Sequence, residues 1–296
     1  MTHGLLSAHV WIDAIFRGLE LAALLLWGGL GAFRALVFRP AAGGAVETTN
    51  RFERRVIIGG LWLFLAAMAG EFIHQAMEMS RRPFGELGPV IWPMMTRTHF
   101  GRIWLAQLAL LGLLAWLVAG HGAGEANRRR FLILVALLAL TQSLSGHAAN
   151  QGNWSPGVLV DWLHLLAVSF WAGGVVPLAL LVPRLLKPLD ARTARLFLIQ
   201  TLERFSAMAV PCVGILVATG LLSAAWRGVQ SADLFGPDYA RVLALKVALA
   251  AVAVGLGGVS RFIILPRLRR GPAEESRATR RLFGRVIAAE VGAAAA

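Results

Sequence analysis

Long apolar runs separated by short polar connections form the main pattern of hydrophobic and polar positions along the chain. Such runs include Leu21–Leu30, Ile103–Ala119, Phe131–Leu140 and Val242–Val259. Their segments approach the roughly 20 apolar residues that a helix needs to cross a bilayer. The runs are continuous and do not alternate with polar residues, which favours helices over the strands of a membrane barrel. The pattern therefore predicts an all-α, polytopic membrane helical bundle.

About eight transmembrane segments are predicted from this pattern. They cover residues 9–38, 56–79, 99–120, 129–149, 158–186, 204–226, 239–265 and 282 onward. The last, Leu282–Ala296, is shorter than a full crossing, so we expect a truncated or short eighth helix. The composition agrees with a membrane protein, because 57% of the 296 residues are hydrophobic, 15% are charged and the mean hydropathy is +0.65.

Basic residues give the chain a net charge of +13 and are unevenly divided among the connections. The connections after the first, third, fifth and seventh segments hold most of them, and the connection after the fourth has neither Lys nor Arg. Because basic residues favour the cytoplasmic side, we expect the N-terminus to lie outside. The charge is then a topology signal, and the expected surroundings are a lipid bilayer with no nucleic acid partner.

Some features recur in the two halves of the chain. The sequence WGG at 27–29, in the first segment, matches WAGG at 171–174 in the fifth. This alignment predicts two four-helix halves, residues 1–150 and 151–296. Four crossings in each half make the repeats parallel, related by an axis along the membrane normal.

Six of the seven histidines fall on the outer side of the predicted topology. Glu71 and His74 share one helix face, and His164 lies on the order of 9 Å below the start of its helix. Imidazole and thioether groups suit copper, Cu(I) in particular with Cu(II) as the alternative, whereas carboxylate-rich sites suit magnesium or calcium. The predicted metal ligands are His74, His99, His147, His164, Glu71, Met77, Met79, Met94 and Met95. For any one of them, an ordinary interfacial or packing role is the alternative.

Polar and soft side chains also occur deep within the predicted segments. Glu20, roughly 16 Å below the start of its helix, would belong to a translocation path or form an intrahelical pair with Arg17. Met208 and Cys212 are four residues apart and would offer a soft face to Cu(I), with helix packing as the alternative explanation. The predicted path comprises Glu20, Met68, Met208 and Cys212.

Several motifs resemble those of the copper resistance protein D family of bacterial inner-membrane copper proteins. They are SGHA at 145–148, WLHLLA at 162–167, WAGG at 171–174, RFS at 204–206, YAR at 239–241 and SRF at 260–262. The resemblance covers the C-terminal half well and the N-terminal half more loosely. The sequence departs from the family pattern at Ala240, where glycine is expected, and at Ser260, where asparagine is expected.

This resemblance implies a multi-pass protein of the bacterial inner membrane that moves copper from the periplasm to the cytoplasm. Such proteins often act beside a small periplasmic copper-binding protein of the CopC type. No domain of that kind is fused to this sequence, so we expect such a partner to be a separate chain. No nucleotide-binding motif is present, so transport would be passive or driven by an ion gradient, and no enzymatic activity is expected.

Two other functions are compatible with the same residues. A b-type haem electron carrier or haem enzyme would use His74 or His99, paired with His147 or His164, as axial ligands on facing helices. The methionines favour copper over haem, because a bis-histidine haem does not need them. A membrane scaffold that only docks a periplasmic partner is the third hypothesis.

Overall fold

The computed structural model describes residues 2–39, 43–120, 125–146, 155–230, 237–270, 283–289 and 292–293. The regular structure in these ranges is helical, and they contain no strand. The all-α architecture predicted from the continuous apolar runs is therefore confirmed for the part of the chain that the structure describes.

Helices α1 to α10 follow one another along the chain. They are Thr2–Ala32, Gly43–Ser80, Gly88–Arg97, His99–Gly120, Glu125–Ser145, Pro156–Leu180, Val182–Leu186, Ala191–Gln230, Pro237–Val259 and Leu265–Arg270. Helix α1 continues into a π-helical turn, Phe33–Val37, and a second π-helical turn, Ser260–Ile264, joins α9 to α10. A 3₁₀ turn, Phe84–Glu86, precedes α3, and residues 283–289 are also helical.

Six helical stretches of the described chain are long and apolar enough to cross a membrane. They are Trp11–Val37, Ala45–Ser80, His99–Gly120, Pro156–Leu186, Ala191–Trp226 and Ala244–Arg270. The protein is therefore a multi-pass helical membrane protein.

The predicted count of eight crossings is not confirmed. The predicted fourth segment forms α5, but the first turns of that helix hold three charged residues, Arg128, Arg129 and Arg130. Helix α5 is therefore not among the six long apolar stretches. The predicted eighth segment lies only partly within the described residues.

Two helices extend well beyond the apolar segments that the sequence predicts for them. Helix α2 has 38 residues and α8 has 40, whereas the apolar pattern covers only 56–79 and 204–226. The additional N-terminal turns of α2 are largely polar, whereas those of α8 also contain the buried core residues Phe197, Leu198 and Leu202. In α2 these turns include an ion pair at 2.8 Å between Glu47 and Arg51, four residues apart, a spacing that stabilises exposed helix.

The described residues divide into two compact units, of which unit 1 comprises Met1–Trp27 and Arg54–Trp162. Aromatic side chains join its helices, and the ring centroids of Phe72 and Trp104 lie 4.8 Å apart. The indole N–H of Trp104 donates a hydrogen bond to the backbone carbonyl of Met68 at 3.1 Å. These contacts hold α2 and α4 together.

Unit 2 comprises Gly28–Glu53 and Leu163–Ala296. Its core is a continuous cluster of buried apolar side chains from the end of α1, α6, α8 and α10. The end of α1 packs directly on α6, because a Cβ at Gly29 would overlap the backbone of Gly173 and Gly174. The glycine motifs of the first and fifth segments therefore serve as a close helix–helix contact.

The two-repeat organisation, with halves at 1–150 and 151–296, stays a prediction. The compact units group residues by contact, whereas the repeat describes similarity between parts of the sequence. The outward N-terminus also stays a prediction, since it depends on the distribution of basic residues.

Candidate functional site

Polar side chains from three helices of unit 1 meet in its interior. They are Asp13, Arg17 and Glu20 from α1, Glu71, His74 and Gln75 from α2, and Gln142 from α5. Spacings of three and four residues place the members from α1 on one side of that helix, and the same holds for α2. We call this set the unit 1 polar cluster.

An aspartate–histidine pair forms the partly exposed end of the unit 1 polar cluster. Asp13 Oδ1 and His74 Nδ1 are 2.8 Å apart, and Gln75 Nε2 lies 3.4 Å from Asp13 Oδ2. Because a carboxylate can only accept, Nδ1 of His74 donates this bond, and in the neutral form of the ring the lone pair is then at Nε2. The Asp13 side chain is 41% exposed and that of His74 is 11% exposed. Histidines that bind metals are commonly oriented by a carboxylate in this way.

Glu20 forms the buried end of the same cluster. The residue is 1% exposed, and its Oε2 accepts a short hydrogen bond from Nε2 of Gln142. Its other oxygen, Oε1, is buried and accepts no hydrogen bond from a donor in the described part of the chain. The carboxyl groups of Glu20 and Glu71 are close enough to interact electrostatically. Two carboxylates this close repel each other unless a proton or a metal cation lies between them.

Arg17 links α1 to the end of α5. Its Nη2 donates a hydrogen bond at 2.9 Å to the backbone carbonyl of Gln142. A Cβ at Gly146 would lie 2.6 Å from this Nη2, so glycine at this position leaves room for the guanidinium group. Within the described residues Arg17 and Glu20 form no direct salt bridge, because Gln142 engages both side chains.

Close packing of α1 against α2 keeps the unit 1 polar cluster together. A Cβ at Gly70 would overlap the ring of Phe16. Helix α1 therefore contacts α2 at a position that has no room for a side chain on α2. Gly59, on the same helix, faces open space. Gly70 directly precedes Glu71, and this contact therefore sets the distance between the acidic residues of the two helices.

The other two described candidate histidines also have defined partners. His99 Nε2 lies 3.2 Å from the carbonyl of Leu144, which can only accept, so the proton of His99 is on Nε2. His164 Nδ1 lies 2.9 Å from Oγ1 of Thr219, and that hydroxyl already donates to the carbonyl of Ile215 at 2.6 Å. His164 is therefore protonated on Nδ1, like His74, with its lone pair at Nε2.

The four predicted thioether ligands occupy different environments. Met77 and Met79, near the end of α2, are 36% and 60% exposed. Met94 is 3% exposed inside an apolar cluster of unit 1, and Met95 packs against the same cluster. The first two are accessible from solvent or lipid, whereas the sulfur of Met94 is enclosed by packing.

The remaining predicted path residues are packed within the two units. Met68 is fully buried in unit 1. Met208 and Cys212 are each 7% exposed and belong to the apolar core of unit 2. Their surroundings agree with the helix-packing explanation, and their part in a copper path stays a prediction.

Among the described residues, no group of three or more His, Cys, Asp or Glu side chains is positioned to hold a metal ion. His147 lies outside those residues, and His74 and His164 belong to different compact units. The predicted His/Met metal site therefore stays a prediction.

Three members of the unit 1 polar cluster are not named at all among the candidates predicted from the sequence: Asp13, Gln75 and Gln142. Asp13 could have been found from helix periodicity. It lies four residues before Arg17 and seven before Glu20, which places all three on one face of the helix. Gln142 has no such signal in its own helix. Its role follows only from the packing of α5 against α1.

Two family models match the chain. The model for the N-terminal domain of copper resistance protein D-like proteins matches residues 8–158, and the model for copper resistance protein D matches residues 199–296. The first match alone covers more than half of the sequence.

Three curated relatives are similar over most of the chain. The copper transport protein CutJ of Bacillus subtilis is 27% identical over 86% of the chain, which spans about half, 47%, of that relative's length. The inner membrane protein YebZ of Escherichia coli is 28% identical, with 75% of the chain and 74% of the relative covered. Copper resistance protein D of Pseudomonas syringae pv. tomato is 28% identical, with 92% and 88% covered. No solved structure matches.

Proposed function

The chain belongs to the copper resistance protein D family, and we propose that it carries copper across the bacterial inner membrane. The relatives named for copper transport and copper resistance support copper as the cargo, and the relative named as an inner membrane protein supports the location. Copper would enter at the Asp13–His74 end of the unit 1 polar cluster and move towards Glu20. No enzymatic activity is part of this proposal.

One observation carries the proposal: polar groups of unit 1 lead from a partly exposed to a buried carboxylate. The Asp13 side chain is 41% exposed, whereas Glu20, roughly 10 Å further along α1, is 1% exposed. Burying an acidic group with an unpaired oxygen is costly. Ionisable residues inside membrane segments commonly mark ion pathways, and an acidic pair would attract a cation.

Copper would pass between ligands in a fixed order. The imidazole of His74 would bind the ion first, with Asp13 orienting the ring. Glu71, three residues away on the same face of α2, and then Glu20 would take the ion next. The other predicted outer ligands, which would collect copper before this step, are His99, His147, His164, Met77 and Met79.

The donor atoms of the unit 1 polar cluster indicate which oxidation state of copper it would bind. Imidazole nitrogen with carboxylate oxygen suits Cu(II), whereas the Cu(I) preference predicted from the sequence depends on thioethers. Met94, one of these thioethers, is enclosed by apolar side chains. We therefore propose that the cluster accepts Cu(II), delivered by a separate periplasmic copper-binding protein of the CopC type.

Copper accumulation in cells that express the full chain tests this function. Cells with the wild-type protein should accumulate several-fold more copper than cells with an empty vector, and Glu20→Gln should reduce accumulation to the vector level. Glu86→Gln, a change at an exposed carboxylate in the turn before α3, is the matched control and should retain wild-type accumulation. Wild-type accumulation in the Glu20→Gln cells would overturn the proposed path.

A further inference from the structure

An apolar groove runs along the outside of unit 2, between α6, α8 and α9. It has a volume of about 230 Å³. Its apolar wall comprises Leu178, Phe205, Ala209, Val213, Val254 and Gly258. A second depression of about 570 Å³, which Glu203 and Arg269 help to line, adjoins it and shares Val210, Arg261 and Phe262 with it. The groove therefore opens from an apolar interior towards a charged rim.

Two polar side chains of the π-helical turn Ser260–Ile264 face this groove. Ser260 is 6% exposed, and its buried Oγ has no hydrogen-bond partner among the described residues. Arg261 is exposed, lies over the ring of Phe262 at 5.9 Å and forms no ion pair within the part of the chain that the structure describes. A buried hydroxyl and an exposed cation on one groove both lack an acceptor.

The membrane makes the position of Arg261 costly without an anion. Arg261 lies within the candidate span Ala244–Arg270, nine residues and roughly 13 Å before its basic end. An arginine towards the end of a membrane helix extends its head towards the phosphate layer, where it can bind an anion. The other arginine of the rim, Arg269, is neutralised by Glu203 at 2.6 Å. One net positive charge is therefore left at Arg261.

The other π-helical turn of unit 2 provides a contrast. Its arginine, Arg34, is 8% exposed and has an ion-pair partner and a hydrogen-bond acceptor within the protein, although its buried Nε makes no hydrogen bond among the described residues. Arg34 Nη2 donates to Asn50 at 3.0 Å, Nε lies 3.6 Å from Glu53, and the guanidinium lies over the ring of Phe38. Arg34 has acceptors from its own chain, whereas Arg261 faces a groove.

We propose that this groove binds an anionic phospholipid. The phosphate accepts hydrogen bonds from Arg261, an oxygen of the glycerol ester region accepts from Ser260 Oγ, and one acyl chain fills the apolar interior. Basic pockets between membrane helices are known to bind anionic headgroups, and the positive rim selects them over zwitterionic ones. The bound lipid supplies the acceptors that the protein lacks at this turn.

Lipid binding to the purified full chain tests this site, with phosphatidylglycerol and phosphatidylcholine as probes and native mass spectrometry as the measurement. The wild-type protein should retain phosphatidylglycerol in preference to phosphatidylcholine. Arg261→Gln should weaken phosphatidylglycerol binding about ten-fold, as expected for loss of a charge-assisted hydrogen bond. Arg102→Gln, at another exposed arginine of a membrane helix, is the control and should bind like wild type.

A second variant tests the apolar part of the groove independently of the charge. A side chain at Gly258 would enter open space, so Gly258→Phe should fold, fill the groove and abolish retention of the lipid. Equal binding of both lipids, or unchanged binding in both variants, would overturn the proposal. The proposal would also be overturned if the wild-type protein had the mass of a dimer and Gly258→Phe had the mass of a monomer. The occupant of the groove would then be a second copy of the chain.

Discussion

At the residue scale, hydrogen-bond partners decide which nitrogen of each described candidate histidine can bind a metal. His74 and His164 donate through Nδ1 to an oxygen acceptor, so in the neutral rings the lone pairs are at Nε2. His99 donates through Nε2, so its lone pair is at Nδ1. His74 donates to the carboxylate of Asp13, an arrangement that commonly orients a metal-binding histidine and strengthens it as a ligand.

Replacing Asp13 tests this orienting role. Asp13→Asn keeps the size of the side chain but removes the charge, and we expect copper affinity to fall about 10- to 100-fold, as for other residues that orient a ligating histidine. Competition with a copper chelator of known affinity measures the change in the purified protein. Glu86→Gln is the control, and equal loss in both variants would mean that net charge alone is responsible.

The sequence identifies single residues better than it identifies their partners. Glu20 and His74 stand out because an ionisable residue in an apolar segment is costly wherever the segment packs. Asp13 and Gln142 become part of the unit 1 polar cluster only through contacts between helices that are 61 and 122 residues apart in sequence. Such contacts follow from packing, which residue type alone does not specify.

At the element scale, the end of α1 depends on its contact with α6. Gly29→Ala would push a methyl group into the backbone of Gly173, which cannot move aside as a side chain would. We expect a loss at the upper end of the roughly 1–3 kcal/mol that overpacking costs, measured as the free energy of unfolding in detergent. Gly18→Ala, on the same helix with open space around it, should leave stability unchanged or raise it slightly.

Asp190 caps the start of α8, outside the membrane segments. Its Oδ1 accepts hydrogen bonds from the backbone N–H groups of Arg192 and Thr193 at 2.9 and 3.0 Å. Hydrogen bonds from the Thr193 side chain and backbone hold the pKa of Asp190 below its ordinary value of 3.8. The folded pKa is lower than the unfolded pKa. The stabilisation is therefore complete above the unfolded pKa and is lost as pH falls through the folded one.

Asp190→Ala should therefore lower the thermal unfolding temperature at neutral pH. The difference from wild type should shrink as the pH falls below about 3.8, because the wild-type carboxylate then loses its charge. Unfolding scans across this pH range provide the measurement. A difference that is constant with pH would contradict a cap that depends on the ionised carboxylate.

The sequence predicts where most helices lie but not how far two of them extend. The apolar runs locate α2 and α8, yet both helices start more than ten residues earlier, in sequence that mixes charged and apolar residues. Hydrophobic content reports the part of a helix in lipid, whereas ion pairs such as Glu47–Arg51 stabilise helix in water. A search for apolar runs therefore misses these turns.

At the scale of the whole molecule, the topology rests on the distribution of basic residues. In a Cys212→Ser background, Arg82→Cys should react with a membrane-impermeant maleimide on spheroplasts, because the connection after α2 is predicted to face outward. Arg192→Cys should react only after permeabilisation. Both positions are exposed, so the reverse pattern would mean that the chain has the opposite orientation.

The number of crossings is the feature of the whole molecule that the apolar pattern determines least well. Helix α5 has an apolar centre, but its first turns hold Arg128, Arg129 and Arg130, and Thr141, Gln142 and Ser143 near its end are buried. Polar groups at both ends shorten the apolar stretch of this helix. In the structure one of these buried polar residues, Gln142, binds Glu20 in the interior of unit 1. Hydropathy alone does not indicate this contact.

The copper and haem content of the purified full chain tests the central claim most directly. We expect elemental analysis to find copper bound stoichiometrically to the wild-type protein, with a Cu(II) paramagnetic resonance signal that His74→Ala removes. The absorbance spectrum should contain no Soret band. A Soret band with sharp reduced α-bands would contradict this account and favour a haem protein, and copper retained in full by His74→Ala would contradict the assignment of the site.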